Sequence, residues 1–321
     1  MDIHYLADIG LDVISPSRAT FPHNATHVAT CQDDMTLAAL MPDHPVFDEE
    51  AIAAANVLPV LRFVFDEHAV ITKKEGRRLT FPCRAILRGF MLSGERWRLL
   101  YKNLVELGIH LVITPDEYER AHYFPNAYGA LSPFSPRATW VAVDIAALTS
   151  DVFDEAFAEI RSWGCQYVML KDFVKSAKAN SERFSKVGID ENLADVAIDL
   201  VHIRGRRFNR GVVFKEWVDL RHYATRSGYV PNEWRLWFGK GKLLTMLPNS
   251  FQEESASSVP RETVDMACRA AHDIGSPYMT IDVAETIDGW IALEAGDGGV
   301  SGPAPGQDLF ELWHDLTQCF K

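Results

Sequence analysis

Apolar positions along the chain follow two rhythms, and the character of the pattern changes near Trp140. In the first part, Val57 to Phe65 (VLPVLRFVF) and Ala85 to Phe90 (AILRGF) read as strands. Gly94 to Leu107 has helical spacing at Trp97, Leu100, Leu104 and Leu107, and Gly108 can stop it. Ile109 to Ile113 then reads as a strand. Thr114-Pro115-Asp116-Glu117 opens another helix, with threonine as N-cap, proline in the first turn and glutamate closing a capping box. Such alternation predicts a mostly parallel sheet covered by helices, an α/β arrangement. The first roughly 50 residues are assigned only loosely to this lobe.

Beyond Trp140 the pattern predicts a helix from Val152 to Trp163, ended by Gly164, a strand from Tyr167 to Leu170, and a helix from Glu191 to Val201. Strands then cluster. GVVFKEWV (211–218) is followed by EWRLWFGKGKLLTML (233–247), whose Gly-Lys-Gly reads as a hairpin turn. A helix from Pro260 to Ile274 precedes a second hairpin, YMTIDVA–ETIDG–WIALE, and Leu309 to Phe320 closes the chain as a helix. Helices resting on antiparallel hairpins predict an α+β part joined to the α/β one. No internal repeat is visible.

Charge and composition narrow the function classes. The 321 residues suffice for two or three lobes, and 47% are hydrophobic. A net charge of -12 argues against non-specific nucleic-acid binding. No apolar run is long enough to span a bilayer, and the start MDIHYLADIGLDV lacks a basic then apolar pattern, so no secretory signal is expected. Five scattered cysteines without a CxxC pair suit a reducing cytoplasm, the expected location. No GxxxxGK[ST], HExxH or GxSxG occurs. The segment from His202 to Arg210 holds four arginines in seven positions, either a solvated loop or an anion contact.

Candidate chemistry concentrates on charged residues in or beside predicted strands: Lys171, Glu216, Glu233, Asp282 and Glu294. Charges seldom sit on half-buried strands without a partner, because desolvation is expensive. Hairpin pairing brings Asp282 and Glu294 together, and two adjacent carboxylates invite a cation; Mg²⁺ favours one or two carboxylates plus phosphate oxygens. Either acid alone could equally face solvent. Lys171 ends an apolar strand, and Lys175, Ser176 and Lys178 follow on a polar loop that could cap phosphates; the plain alternative is a lysine-rich surface turn. Phe214-Lys215-Glu216-Trp217-Val218 offers backbone hydrogen bonds and apolar cover to a nucleotide base. Glu233 could accept from ribose hydroxyls, and Arg235 projects from the same strand face. Both could also lie on the solvent face of an edge hairpin.

The order of these pieces resembles the ATP-grasp superfamily over about Trp140 to Lys321. The segments Ile86-Leu-Arg-Gly-Phe-Met-Leu92, Ile113-Thr-Pro-Asp-Glu-Tyr118, His122-Tyr-Phe-Pro125, Lys171-Asp-Phe-Val-Lys-Ser176 and Glu294-Ala-Gly-Asp-Gly298 resemble its R-two-K clade. The resemblance implies an ATP-grasp fold at 140–321, in two α+β lobes of about 140–220 and 221–321, behind an N-terminal α/β pre-ATP-grasp domain at 1–139. It implies ATP and Mg²⁺ as cofactors and cytoplasmic carboxylate–amine ligation through an acyl phosphate, with small-molecule or peptide substrates or a protein substrate, and no membrane partner. Lys171 is then the α- and β-phosphate ligand, with Lys175, Ser176 and Lys178 on the covering loop. Glu216 and the backbone through Trp217 and Val218 contact adenine, or Lys215 takes that position. Glu233 meets the ribose, and Asp282, Glu294 and Asp297 form the metal side. Two departures stand out: Thr280 occupies the place of a frequent arginine, and Gly296 that of a frequent asparagine. Arg235 or Lys178 must then supply catalytic positive charge, and Arg88 is the candidate grip on an anionic substrate. Kinase-like transfer to a hydroxyl, and an assembly chaperone similar to the cell-division-cycle-123 proteins, are the alternatives.

Overall fold

Strand β1 (Thr36–Pro42) is the buried centre of the first sheet, flanked by α1 (Asp48–Ala55), β2 (Val60–Phe65), β3 (Ala69–Glu75) and β4 (Cys83–Leu87). The computed structural model describes residues 35–174, 181–225, 228–249 and 256–321. Helix α2 (Gly94–Glu106), β5 (Ile109–Leu111), α3 (Pro115–His122) and α4 (Phe124–Leu131) complete this part. The sheet order is β3-β2-β1-β4-β5, parallel except where β3 pairs antiparallel to β2. The expected parallel α/β sheet is therefore present. Strand β3 is additional to the pattern reading, because the charged run Thr72-Lys73-Lys74-Glu75 suits an edge strand rather than a buried one. The capping box of α3 forms: Thr114 Oγ1 accepts from the Glu117 amide at 3.3 Å, and Glu117 Oε2 accepts from the Thr114 amide at 2.8 Å.

Next come β6 (Ala138–Ala142), α5 (Asp154–Ser162), β7 (Tyr167–Asp172), α6 (Ser181–Phe184), β8 (Val187–Gly188), α7 (Leu193–Arg204) and β9 (Gly211–Glu216). The sheet order is β6-β9-β7-β8, all antiparallel, over a core that includes Val168, Leu170, Val212 and Phe214. A short hairpin, β10 (His222–Thr225) and β11 (Gly228–Pro231), leads to the last sheet. That sheet contains β12 (Glu233–Gly239), β13 (Lys242–Pro248), β14 (Tyr278–Thr286) and β15 (Gly289–Asp297), in the order β13-β12-β14-β15. Helix α8 (Arg261–Ile274) covers one face together with α4. It stops where Gly275 takes φ 68, a left-handed cap that glycine adopts without strain. Both predicted hairpins form.

The final helix, α9 (Leu309–Phe320), returns to the start of the molecule. Its Leu312, Trp313, Leu316 and Phe320 share one core with β1, β2 and β4, and with Trp237 and Tyr278 of the last sheet. The two parts are thus joined by apolar burial, and the described residues form a single compact unit. A smaller cluster of Tyr123, Phe124, Ala138, Phe173, Val174 and Val213 joins the start of α4 to β6, β9 and the end of β7.

Candidate functional site

Strand parity assembles the site. Asp282 and Glu294 are direct cross-strand partners, so both carboxylates leave the sheet on one face. Arg235 is paired to Asp282 on the opposite side, and Glu233 lies two residues along the same face. The Arg235 guanidinium donates from Nε and Nη2 to both Asp282 oxygens at 2.8 and 2.7 Å, and from Nη1 to the Gly302 carbonyl at 2.7 Å. Thr280 instead hydrogen-bonds Ser301, with 2.8 Å between the hydroxyl oxygens. A Cβ on Gly296 would come within 3.1 Å of both hydroxyl oxygens, so these hydroxyls occupy the space a larger side chain would need there. Where the sequence lacks an arginine on β14, a guanidinium arrives from β12.

The smaller lobe supplies two ammonium groups. Lys171, 5% exposed, donates to Glu294 Oε2 at 2.5 Å, and Lys215 donates to the Leu293 carbonyl at 2.5 Å. Both lie over the ring of Phe124, at 5.5 and 5.4 Å from its centroid. Their strand positions put them diagonally on one face, since Lys171 pairs with Val213 and Met169 with Lys215. Burial, and then the charge of Lys171, push the Lys215 ammonium down to about 7. Across the site the charge balance is reversed. Burial, and then Asp282, push the Glu233 carboxyl up to about 7, although Asn249 donates to it at 2.5 Å. A site with buried cations on one wall and excess carboxylate on the other suits a polyphosphate with a divalent ion.

The remaining sequence candidates distribute unevenly. Glu216 alternates to the other face of β9, where Arg137 clamps both its oxygens at 2.8 and 2.7 Å and holds its carboxyl below the usual range. The cleft-facing member of the pair is therefore Lys215. The Trp217 indole donates to Asp219 at 2.9 Å, and Val218 is half-buried beyond it. Asp297 falls on the opposite parity from Glu294, and burial pushes its carboxyl up to about 8 against the pull of the Gly299 amide and Arg88. Arg88 is 2% exposed and held by Glu50 at 2.5 Å and by the Gly298 carbonyl. It braces the turn after β15 against β4 rather than presenting a free guanidinium. Lys175, Ser176 and Lys178 lie outside the described residues. Of the arginine tract, Arg204 pairs with buried Asp172 at 2.8 Å, and Arg210 reaches Glu119 at 3.1 Å and Glu95 at 3.2 Å. Those two arginines tie the smaller lobe internally and to α2 and α3.

Pattern reading missed Phe124 and Ser301. Phe124 does belong to the His122-Tyr-Phe-Pro125 segment, but nothing local shows that its ring lies beneath lysines 47 and 91 residues further on. Ser301 carries no signal outside the fold.

Residues 165–316 match the model of the ATP-grasp domain of the R-two-K clade, family 3. The solved structures it resembles are of the same fold. The ATP-grasp ligase PsnB, complexed with its minimal precursor, superposes with a TM-score of 0.52 at 16% identity, covering 90% of this chain and all of that one. A RimK domain ATP-grasp protein from Sphaerobacter thermophilus gives 0.55 at 14% identity, covering 88% and 99%. D-alanine–D-alanine ligase from Bacillus anthracis, complexed with ATP, gives 0.54 at 13% identity, covering 89% and 96%. No curated protein matches by sequence. The chain has the ATP-grasp fold behind an N-terminal α/β sheet. Among the described residues no helix is long and apolar enough to cross a membrane.

The depressed Lys215 gives a binding prediction with a sign. At pH 8 its amine is mostly neutral in the free protein, and a polyphosphate beside it favours the charged form. Binding of Mg-AMPPNP at pH 8 is therefore expected to take up protons. Calorimetry in two buffers of different ionisation enthalpy should show it, and Lys215→Met should abolish the uptake. Equal enthalpies in both buffers would remove Lys215 from the phosphate site. Without nucleotide the unfolded chain holds more protons at this lysine between pH 7 and 10.5, so its contribution to stability rises with pH across that window.

Proposed function

We propose that the protein is an ATP- and magnesium-dependent carboxylate–amine ligase that forms an amide through an acyl phosphate and releases ADP and phosphate. The observation that carries this reading is the cross-strand pair Asp282–Glu294, facing Lys171 and Lys215 of the smaller lobe and bound on its flank by Arg235. Among the described residues no three metal-ligating side chains cluster. Asp282 and Glu294 would be the protein ligands for Mg²⁺, an ion that favours one or two carboxylates together with phosphate oxygens and water. When bound, the ion would neutralise charge on the terminal phosphates.

Lys171 and Lys215 then act on the phosphate chain, and Arg235 faces the oxygens where charge accumulates as the β–γ bond breaks. Fixed cations cost no reorganisation at that moment, which is what makes them effective in a water-poor site. Glu233 suits the ribose hydroxyls, because a carboxyl held near neutrality can both accept and donate. The acceptor of the activated carboxylate is a small amine or the amine of a peptide. Neighbours of the fold include a ligase solved with a precursor peptide and a D-alanine–D-alanine ligase.

A carboxylate screen with Mg-ATP and hydroxylamine tests the reading. Amino acids of both hands and short peptides are offered, and nucleotide and hydroxamate products are separated. ADP with a hydroxamate is the expected result. Stoichiometric AMP would replace the acyl phosphate by an adenylate. ADP with a phosphorylated hydroxyl would make the protein a kinase, and tight nucleotide binding without turnover, together with a stable protein partner, would make it a chaperone.

A further inference from the structure

The loop between β3 and β4 carries two arginines past the amino-terminal edge of the first sheet. Gly76 opens that loop at φ 78, and a Cβ there would come within 3.3 Å of the Ala55 and Leu58 carbonyl oxygens. Glycine thus lets the loop run tight against the end of α1. Arg77 then donates to the Asn56 carbonyl at 3.0 Å. Arg84, the second residue of β4, donates to the Phe320 carbonyl at 3.0 Å. Arg77, Arg78, Arg84 and Lys321 line a cavity of about 330 Å³. Leu37, Leu58, Pro59 and Phe320, all buried, give it an apolar lining as well.

The chain has a net charge of -12, and its arginines elsewhere find acids, as Arg62 finds Asp48 and Arg183 finds Asp199, both at 2.8 Å. Among the described residues, the four cations of this cavity enter no ion pair, and no acidic side chain lines it. Guanidinium forks match the oxygens of carboxylates and phosphates. A wall of cations without an acid repels an ammonium group, so a ligand here carries no free amine. The volume is at the lower end of the range for small-molecule sites, where apolar walls bury the body and a few polar groups fix the orientation.

The cavity is separate from the reaction site. Met91, beyond the carboxyl end of β4, lines the space shared with Asp282 and Glu294, whereas Arg84 stands at the amino end of the same strand. The four residues from Arg84 to Arg88 alone span about 13 Å of extended chain. Ligands of parallel α/β sheets ordinarily sit beyond the carboxyl ends of the strands, so this cavity is no extension of the substrate cleft.

We propose that the cavity is a second ligand site, for a small organic anion. Its carboxylate or phosphate is held by Arg77, Arg78 and Arg84, and its apolar body rests against Leu37, Leu58, Pro59 and Phe320. The assignment is independent of the ligase reading.

Calorimetry on the full chain in saturating Mg-AMPPNP tests it with four probes: N-acetyl-phenylalanine, phenyl phosphate, phenylalanine amide and benzyl alcohol. At least one of the two anions should bind one to one with a Kd below about 1 mM, and the tighter of them identifies the preferred oxyanion. The amine and the alcohol should bind at least about tenfold more weakly. Arg77→Gln combined with Arg78→Gln, on an exposed loop, should weaken the preferred anion by roughly tenfold or more and leave Mg-AMPPNP affinity within about twofold. Should that variant fail to fold, Arg78→Gln alone should weaken the anion about threefold or more. Equal anion affinity in wild type and variant would overturn the site, as would amine binding as tight as that of the anions, or no anion binding below that Kd. Nucleotide that failed to bind would count against the ATP-dependent reading and leave this comparison intact.

Discussion

Replacing Arg235 by methionine is expected to lower ADP release by about 10²–10³-fold, the range seen when one preorganised donor is removed from a developing charge. The same change leaves the Asp282 side chain, 5% exposed, without its bidentate partner. Breaking a buried pair in this way typically costs about 3–5 kcal/mol. The two effects separate with Arg235→Lys. Lysine keeps the charge but cannot hold both Asp282 oxygens and the Gly302 carbonyl in one plane, so it should recover much of the stability and only part of the rate. Thermal unfolding and ADP release, measured on the same preparations, give the two readouts. A folded Arg235→Met variant that keeps its rate within twofold would place the catalytic charge elsewhere.

Arg235 also shows what a chain alone can reveal. Its relation to Glu233 and its position opposite a second hairpin follow from alternation. The pairing of Asp282 with Glu294 goes beyond that rule: counting from the turn pairs Thr286 with Gly289 and would set Asp282 opposite Leu293, and a bulge between Asp282 and Val283 brings Glu294 there instead. Lys171 was legible as a charge inside VMLKD. What alternation could not provide is contact between elements far apart in the chain. Glu216 and Lys215 are neighbours on one strand, and only the sheet shows that Arg137 holds the first on the far face while the second meets Leu293. Strand β3 escaped notice because its charges serve an edge. The resemblance to a known superfamily recovered the fold, but its two departures, Thr280 and Gly296, became intelligible only when Ser301 was seen to face both.

Arg88 yields the second strong expectation. At the end of a predicted strand it read as a grip for an anionic substrate. In the fold its guanidinium meets Glu50, 38 residues earlier, and Gly298, 210 residues later, and lies 5.2 Å from the Trp237 ring. Arg88→Met leaves Glu50, 5% exposed, as an unpaired buried acid, at a cost of about 3–5 kcal/mol. For a unit of this size that corresponds to a fall in Tm of roughly 6–20 °C, at about 2–4 °C per kcal/mol. Replacing both partners with apolar side chains removes the orphaned charge, so Glu50→Leu with Arg88→Met should regain most of the loss. Differential scanning calorimetry of the two single variants and the double one measures the coupling directly. If Arg88 is a brace for the turn at Gly298, the double variant should remain folded and keep its KM for the carboxylate while kcat declines modestly. A KM raised tenfold or more in that stable double variant would restore Arg88 to the substrate.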